Sequence, residues 1–502
     1  MHKPRGVAVE RADLMSFELF TFLIAALIFV SVVASKISDR FAIPVLLLFL
    51  AVGVLAGSEG IGGIYFDDAR IAKSVGMVAL MFIIFSGGLD TNWKETRPVL
   101  LPGILLSTLG VLLTALLTGW FAVYILKFSL LEGLLLGSIV SSTDAAAVFS
   151  VLRSRNISLK KPLKPLLEFE SGSNDPVAVF LTAAFISLLT VKDISLVSLI
   201  PGFFLDMGVG ALIGFLMARF ARFVMNQLRL EYEGLYPVLM ISFVLLTFSI
   251  AVLLRGNGIL AVYLLGLMLG QTDFSGKKMV MRFHDGLAWL LQIVMFVTLG
   301  MLVFPSHIVP FIGPGLLLTA LLILVARPLS VFICLLPFRM NIRKKAMLSW
   351  VGLRGSVPII LATFPFMAGI PQADTIFNVV FFVVVVSVFV QGTTIPLVSR
   401  MLRLDVPLPN RIAYPIEFEK SSSIDAELAD LIVPYNSVVV GRKIGELGVP
   451  DKCLIVLVSR AGRFVIPSGG LALEGGDVLL ILANSEDFSA LQTIVVSCNR
   501  VA

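Results

Sequence analysis

Long apolar runs, parted by short clusters of charge, glycine and proline, fill the chain from residue 16 to residue 402. A helix needs about 20 residues to cross a hydrocarbon core of about 30 Å. Read for runs of that kind, the sequence predicts thirteen membrane spans, at 16–35, 41–58, 71–89, 99–126, 130–152, 163–190, 195–223, 234–254, 256–271, 284–303, 309–337, 346–370 and 374–402. The ninth is short for a crossing.

The charges between the runs supply an independent check. Loops after odd-numbered spans are basic, with Arg153, Arg155, Lys160, Lys161 and Lys164 after the fifth and Arg339, Arg343, Lys344 and Lys345 after the eleventh. Loops after even-numbered spans carry only Arg70, Lys73, Lys127, Lys192 and Arg255. The excess of Lys and Arg marks cytoplasmic loops, so the N-terminus is expected outside and the C-terminus inside. Lys3, Arg5 and Arg11 run against that assignment. The polar start, 1–13, leads into an apolar run with no small-residue cleavage site, so the run reads as a retained span and not a signal peptide.

Beyond Arg403 the pattern changes. Residues 404–415 are Pro-rich and read as a linker, and 416–502 as a small soluble domain. Strands are expected at 428–433, 453–458, 463–466 and 478–483, helices at 440–447 and 485–495, and a hairpin turn at Ser459-Arg460-Ala461-Gly462. The fold class is therefore an all-α polytopic membrane protein followed by a small α+β domain.

Composition agrees: 58% of residues are hydrophobic, 38 are Phe and only 14% are charged, against about 45–50% apolar in soluble domains. The net charge of +6 fits basic cytoplasmic loops and does not call for nucleic acid. Cys334, Cys453 and Cys498 are too scattered for a disulfide framework or a zinc site. No phosphate-cradling loop, nucleophile elbow or HExxH is present, so an enzyme is not expected.

An ionisable side chain inside a span is costly and marks function by default. Three places qualify. The fifth span holds Ser141-Ser142-Thr143-Asp144 near its centre, small polar residues that can loosen a helix by bonding to its backbone. Asp144 could also be simply satisfied by the neighbouring hydroxyls. The sixth span holds Glu168, Glu170, Ser171, Asn174 and Asp175, followed by Pro176. A carboxylate taken out of water, or set beside another, loses part of what stabilises its charge. Such a group can take a proton or a hard cation, but not comfortably both, and oxygen ligands suit an alkali cation. Glu168 and Glu170 could instead lie at a solvated helix end. The eleventh span holds Arg327-Pro328; the arginine needs an anion, with Glu170 the natural candidate, or else caps carbonyls of an unwound helix. Arg354, nearer the cytoplasmic end of the twelfth span, could snorkel to the surface. These residues alone indicate an ion-coupled transporter or a channel.

From Phe169-Glu170-Ser171-Gly172-Ser173-Asn174-Asp175 onward the chain resembles a known family, the monovalent cation/proton antiporters, and within it the potassium/proton branch. The 141–144 stretch is similar to the family's Thr-Asp motif and Asn174-Asp175 to its Asn-Asp motif. Phe85-Ser86-Gly87-Gly88-Leu89, Gly352-Leu353-Arg354-Gly355 and Arg327-Pro328-Leu329 are also similar to recurrent family motifs. The resemblance covers roughly 16–402. It implies thirteen helices in two inverted repeats with crossed unwound helices, a homodimer in the inner membrane, and elevator-like alternating access. It implies a monovalent cation at Asp175, Thr143 and Ser171, with Asp144 acting through water. Glu170, bridged by Asn174 and paired with Arg327, would be support, and Arg354 and Ser142 accessories. Asn174 in place of an acid implies electroneutral exchange, one proton per cation. The Phe-Glu-Ser-Gly-Ser lead-in favours potassium, with sodium the alternative; a regulated channel is a further one, although no TVGYG-like filter loop occurs. Residues 425–490 resemble the C-terminal subdomain of potassium-conductance regulators (TrkA-C-like), which implies a cytosolic sensor of a small, nucleotide-like ligand. No other cofactor is implied.

Overall fold

The computed structural model describes residues 17–41, 44–191, 195–228, 230–408, 426–450 and 452–497. Lys3, Arg5, Arg11, Lys192, Arg229, Cys498 and the linker residues 409–415 lie outside them. The chain divides after Leu408 into a helical unit and a smaller C-terminal unit.

Each of the thirteen apolar runs contains helix. Among the described residues nine helices are long and apolar enough to cross a membrane. The second and ninth spans are the shorter Val45–Ala56 and Gly258–Gly270. The fifth and twelfth are each broken in two: Leu130–Ile139 with Ala145–Ser154, and Ile342–Trp350 with Ser356–Met367.

The spans before the two broken ones repeat a single succession. Trp93–Leu126 runs α-helix, 3₁₀ turn (Arg97–Val99), α-helix, π turn (Leu106–Gly110), α-helix. Pro305–Cys334 runs through the same five pieces, with its 3₁₀ turn at Val309–Phe311 and its π turn at Leu322–Ala326. Pro98, Pro102 and Gly103 recur in the same spacing as Pro310, Pro314 and Gly315. The long helices after the broken spans, Leu163–Thr190 and Ala373–Met401, each carry an internal proline, Pro176 and Pro396. A proline there removes one ladder hydrogen bond and bends the helix.

The seventh span, Leu199–Leu228, buries a narrow stripe of mostly small residues, Gly210, Gly214, Ala218, Ala221 and Met225, against the ninth span and leaves most of its apolar surface outward. That is how a lipid-facing or subunit-facing helix looks. After the last span the chain returns: β2 (Asp405–Pro407) pairs antiparallel with β1 (Ile157–Leu159). The first residues of the expected linker therefore belong to the helical unit.

In the C-terminal unit, β3 (Glu427–Ile432), β4 (Leu454–Arg460), β5 (Arg463–Val465) and β6 (Val478–Ala483) form an antiparallel sheet in the order β3-β6-β4-β5. Ala461 and Gly462, both at positive φ, make the tight turn between β4 and β5. The helix Ser485–Val496 is present, but 440–447 forms only a 3₁₀ turn at Ile444–Glu446. Its backbone bonds sideways instead, Gly441 N to Leu473 O at 2.8 Å and Ile444 N to Leu471 O at 2.9 Å, which a helix could not spare. Arg460 grips Asp477 with two hydrogen bonds, 2.9 and 2.8 Å, closing one end of the β4–β6 pair.

Candidate functional site

The fifth span stops at Ile139 because the next residues compete for its backbone bonds: Ser141, Ser142 and Asp144 all carry short oxygen side chains. Helix resumes at Ala145 with Asp144 as its cap, Oδ1 accepting from Ala147 N at 3.1 Å. The twelfth span stops at Trp350 and resumes at Ser356, across Gly352-Leu353-Arg354-Gly355. The two breaks cross. Asp144 N donates to Leu353 O at 2.8 Å. A Cβ on Gly355 would stand 2.1 Å from Asp144 Oδ2, so only glycine allows that approach.

Each break frees carbonyls that lipid could not satisfy. Arg354 Nη1 donates to Ser141 O at 2.5 Å and to Ser142 O at 2.7 Å. Ser171 Oγ donates to Thr143 O at 3.0 Å and accepts from Ala145 N at 3.0 Å. At the other break, Gln391 Nε2 donates to Trp350 O at 2.8 Å, and Arg354 N donates to Ser387 Oγ at 3.2 Å. Arg354 is 1% exposed, so it does not snorkel: it is the clamp on the opposite break.

The sixth span lays its acidic stretch against the crossing. Asp175 Oδ1 accepts from the hydroxyl of Ser142. Asn174 Nδ2 donates to Thr143 Oγ1 at 2.6 Å and is turned towards the break, not towards Glu170. Arg327 Nη2 lies 2.6 Å from Glu170 Oε1 and 3.4 Å from Leu348 O, so one guanidinium both pairs with an anion and supports a broken helix end. Both partners are buried, and neither charge could stay there alone. Glu168 sits two residues nearer the helix start than Glu170, 3.7 Å from Lys164.

Asp175, Asp144, Thr143 and Ser171 line a cavity of about 220 Å³. Asp90, Arg153 and Gln292 line both this cavity and a wider hollow of about 630 Å³ beside it. That passage leads to the side bearing the basic loop after the fifth span. A separate hollow of about 480 Å³, lined by Lys73, Asp206 and Asn257, lies on the other side of the sixth span.

Asp175, Asp144, Thr143, Ser171 and Asn174 are thus gathered at one crossing, with Ser142 among them, and Glu170–Arg327 forms a second buried cluster. Ser387 and Gln391, four residues apart on the last span, were missed; two hydrogen-bonding side chains one turn apart in an apolar run were the available signal.

Comparison with known proteins is consistent along the whole chain. Residues 22–400 match the family model described as sodium/hydrogen exchanger, transmembrane, and residues 428–495 match the TrkA-C domain. The K(+)/H(+) antiporter NhaP2 of Shewanella sp. (strain ANA-3) is 41% identical over 97% of this chain and 84% of its own length. The K(+)/H(+) antiporter NhaP of Alkalimonas amylolytica is 37% identical over 96% of this chain and 84% of its own. Among solved structures, the sodium proton antiporter MjNhaP1 from Methanocaldococcus jannaschii at pH 8 superposes with a TM-score of 0.66 at 23% identity, over 75% of this chain and 100% of that one. These relatives are antiporters, not enzymes. A family match over the membrane unit, near-full-length relatives and a shared fold place the chain in the sodium/hydrogen exchanger family, with a TrkA-C domain at its C-terminal end.

Proposed function

We propose that this protein exchanges a monovalent cation, potassium in the first place, for protons across the cell inner membrane. The observation that carries the reading is Asp175: a buried carboxylate, held by the Ser142 hydroxyl at the crossing of two broken helices and facing a cavity that leads out to one side. A cation at Asp175 requires the charged carboxylate, and a proton removes that charge, so each ligand excludes the other. Exchange follows when the loaded site is exposed to either face in turn. The potassium preference comes from the relatives named K(+)/H(+) antiporters.

The ligands divide by what each atom is already doing. Ser171 Oγ spends its proton on Thr143 O and one lone pair on Ala145 N, leaving one lone pair. Thr143 Oγ1 receives the Asn174 amide and keeps one as well. Ser142 Oγ, in contact with Asp175, is the hydroxyl best placed to pass from proton donor to cation ligand. Asp144 is occupied as a helix cap and would meet the cation through water. Asn174, neutral and committed to Thr143, adds no second titrating charge, which supports electroneutral exchange. Glu170 is held by Arg327 and stays out of the cycle. The basic loops support a cytoplasmic opening for the described cavity. The TrkA-C domain would be a sensor for a small ligand, and exchange of this kind would serve cytoplasmic cation and pH homeostasis in a homodimer.

The test uses the purified chain in vesicles with an internal pH dye and a preset proton gradient. Potassium, sodium or lithium is added outside, with the membrane potential clamped at zero and then varied. Proton movement driven by potassium and indifferent to potential is expected. Sodium-driven movement alone would reassign the cation, and cation flux without protons would make the chain a channel.

A further inference from the structure

The hollow on the far side of the sixth span contains a carboxylate that the exchange site does not use. Asp206 lies on the seventh span and is partly exposed to this 480 Å³ space. Among the described residues that line the space it is the only acidic one. An acid in a span is expensive unless it has a role.

Its surroundings are built closely. Asn257 Nδ2 donates to Asp206 Oδ2 at 3.0 Å and to Pro176 O at 3.2 Å. Asn257 N donates to Asp206 O at 2.9 Å, and a Cβ on Gly210 would stand 2.6 Å from Asn257 O. The turn before the ninth span is therefore seated on the seventh, and one amide group joins Asp206 to the carbonyl of Pro176, the residue after Asp175. Asn257 Oδ1 is committed to Leu260 N at 3.0 Å. Among the described residues that line the space, only Ser74 and Asn257 bring side-chain oxygens besides Asp206, and the space is wide enough for an ion to keep its water.

We infer that Asp206 is an outer staging site: it holds a hydrated monovalent cation in the vestibule opposite the open cavity, next to Asp175's own helix segment, before that cation is taken up. The inference rests on the antiport reading above. A lone carboxylate in a low-dielectric mouth concentrates counter-ions without dehydrating them. Lys73, the other ionisable group on this wall, rests its ammonium 4.1 Å from the centre of the Phe364 ring and works against the cation. The two charges set the local concentration between them.

The experiment compares half-saturation for potassium added at each face of oriented vesicles carrying the full chain. Asp206→Asn keeps an oxygen for Asn257 and removes the charge. It should raise half-saturation at the outer face on the order of tenfold and leave the inner face unchanged. The shift should shrink when choline chloride is raised from about 10 to about 150 mM, which shortens the screening length from about 30 Å to about 8 Å. Lys73→Gln should move outer half-saturation in the opposite direction, and it decides the matter if the Asp206 variant does not fold. An unchanged outer value, an equal shift at both faces, or a shift indifferent to choline would overturn the staging site. Absence of exchange in the unaltered chain would defeat the antiport reading itself.

Discussion

Asp144 N donates to Leu353 O across 2.8 Å, so the two broken helices are stitched backbone to backbone where each has lost its own ladder. One strand brings the hydroxyls and the acidic cap, and the other brings Arg354. The sixth span then needs only to rest Asp175 and Asn174 against the first of them.

Replacing Asp175 by Asn should reduce cation-driven proton movement to the level of empty vesicles, because the amide neither titrates nor carries charge. Asp175→Glu should retain exchange with an altered half-saturation, since the longer side chain shifts the carboxylate from Ser142. Normal exchange by the Asn variant in the pH-dye assay would remove Asp175 from the site.

Ser142→Ala should weaken cation use more than it lowers maximal rate. A hydrogen bond to a charged group is worth about 1.5–3 kcal/mol, so half-saturation should rise by at least about tenfold. Ser142→Thr should recover most of it. Equal half-saturation in the Ala variant would leave Thr143 and Ser171 as the hydroxyls that matter.

Arg354→Gln strips two carbonyls of their charged donor inside the protein. Each unsatisfied group costs about 1–3 kcal/mol, so thermal unfolding in detergent should begin several degrees lower, with exchange lost in parallel. A midpoint equal to the unaltered chain would mean that the crossing holds without its clamp.

Glu170→Gln alone leaves Arg327 charged, buried and unpaired, a loss of about 3–5 kcal/mol. Glu170→Gln combined with Arg327→Met removes both charges and should be more stable than the Glu170 variant. Unfolding midpoints of the two single variants and the double variant, read as a cycle, test this. A double variant no better than the sum of the singles would show that the pair is not coupled.

The spans were legible because a bilayer demands about 20 apolar residues and sorts Lys and Arg to one side. The Ser141-Ser142-Thr143-Asp144 and Asn174-Asp175 stretches were legible because ionisable groups are rare at that depth. Arg354 was misread: its distance along the span suggested a surface position, and only a break at 351–355 turns it inward. Gly352 and Gly355 on either side of it were the hint. The bond from Asn174 to Thr143 could not be anticipated, because Glu170 stands one helical turn away and Thr143 is reached only through the crossing. The recurrence of the Pro98, Pro102 and Gly103 spacing at Pro310, Pro314 and Gly315 was missed; two prolines and a glycine in register within apolar runs were the available signal. The 440–447 helix failed because edge pairing with 471–473, a long-range bond, outweighed local preference.

The backbone oxygens of Ser141, Ser142 and Thr143 all already receive hydrogen bonds from Arg354 or Ser171. Each such carbonyl keeps one lone pair, with part of its dipole spent on the donor, so a rigid cage of carbonyl dipoles, the device by which a filter measures ionic radius, is weakened at this crossing. On the antiport reading, discrimination among alkali ions passes from fit to dehydration. The ion that sheds water most cheaply for one carboxylate and a few hydroxyls has the advantage, and potassium gives up its water more readily than sodium or lithium.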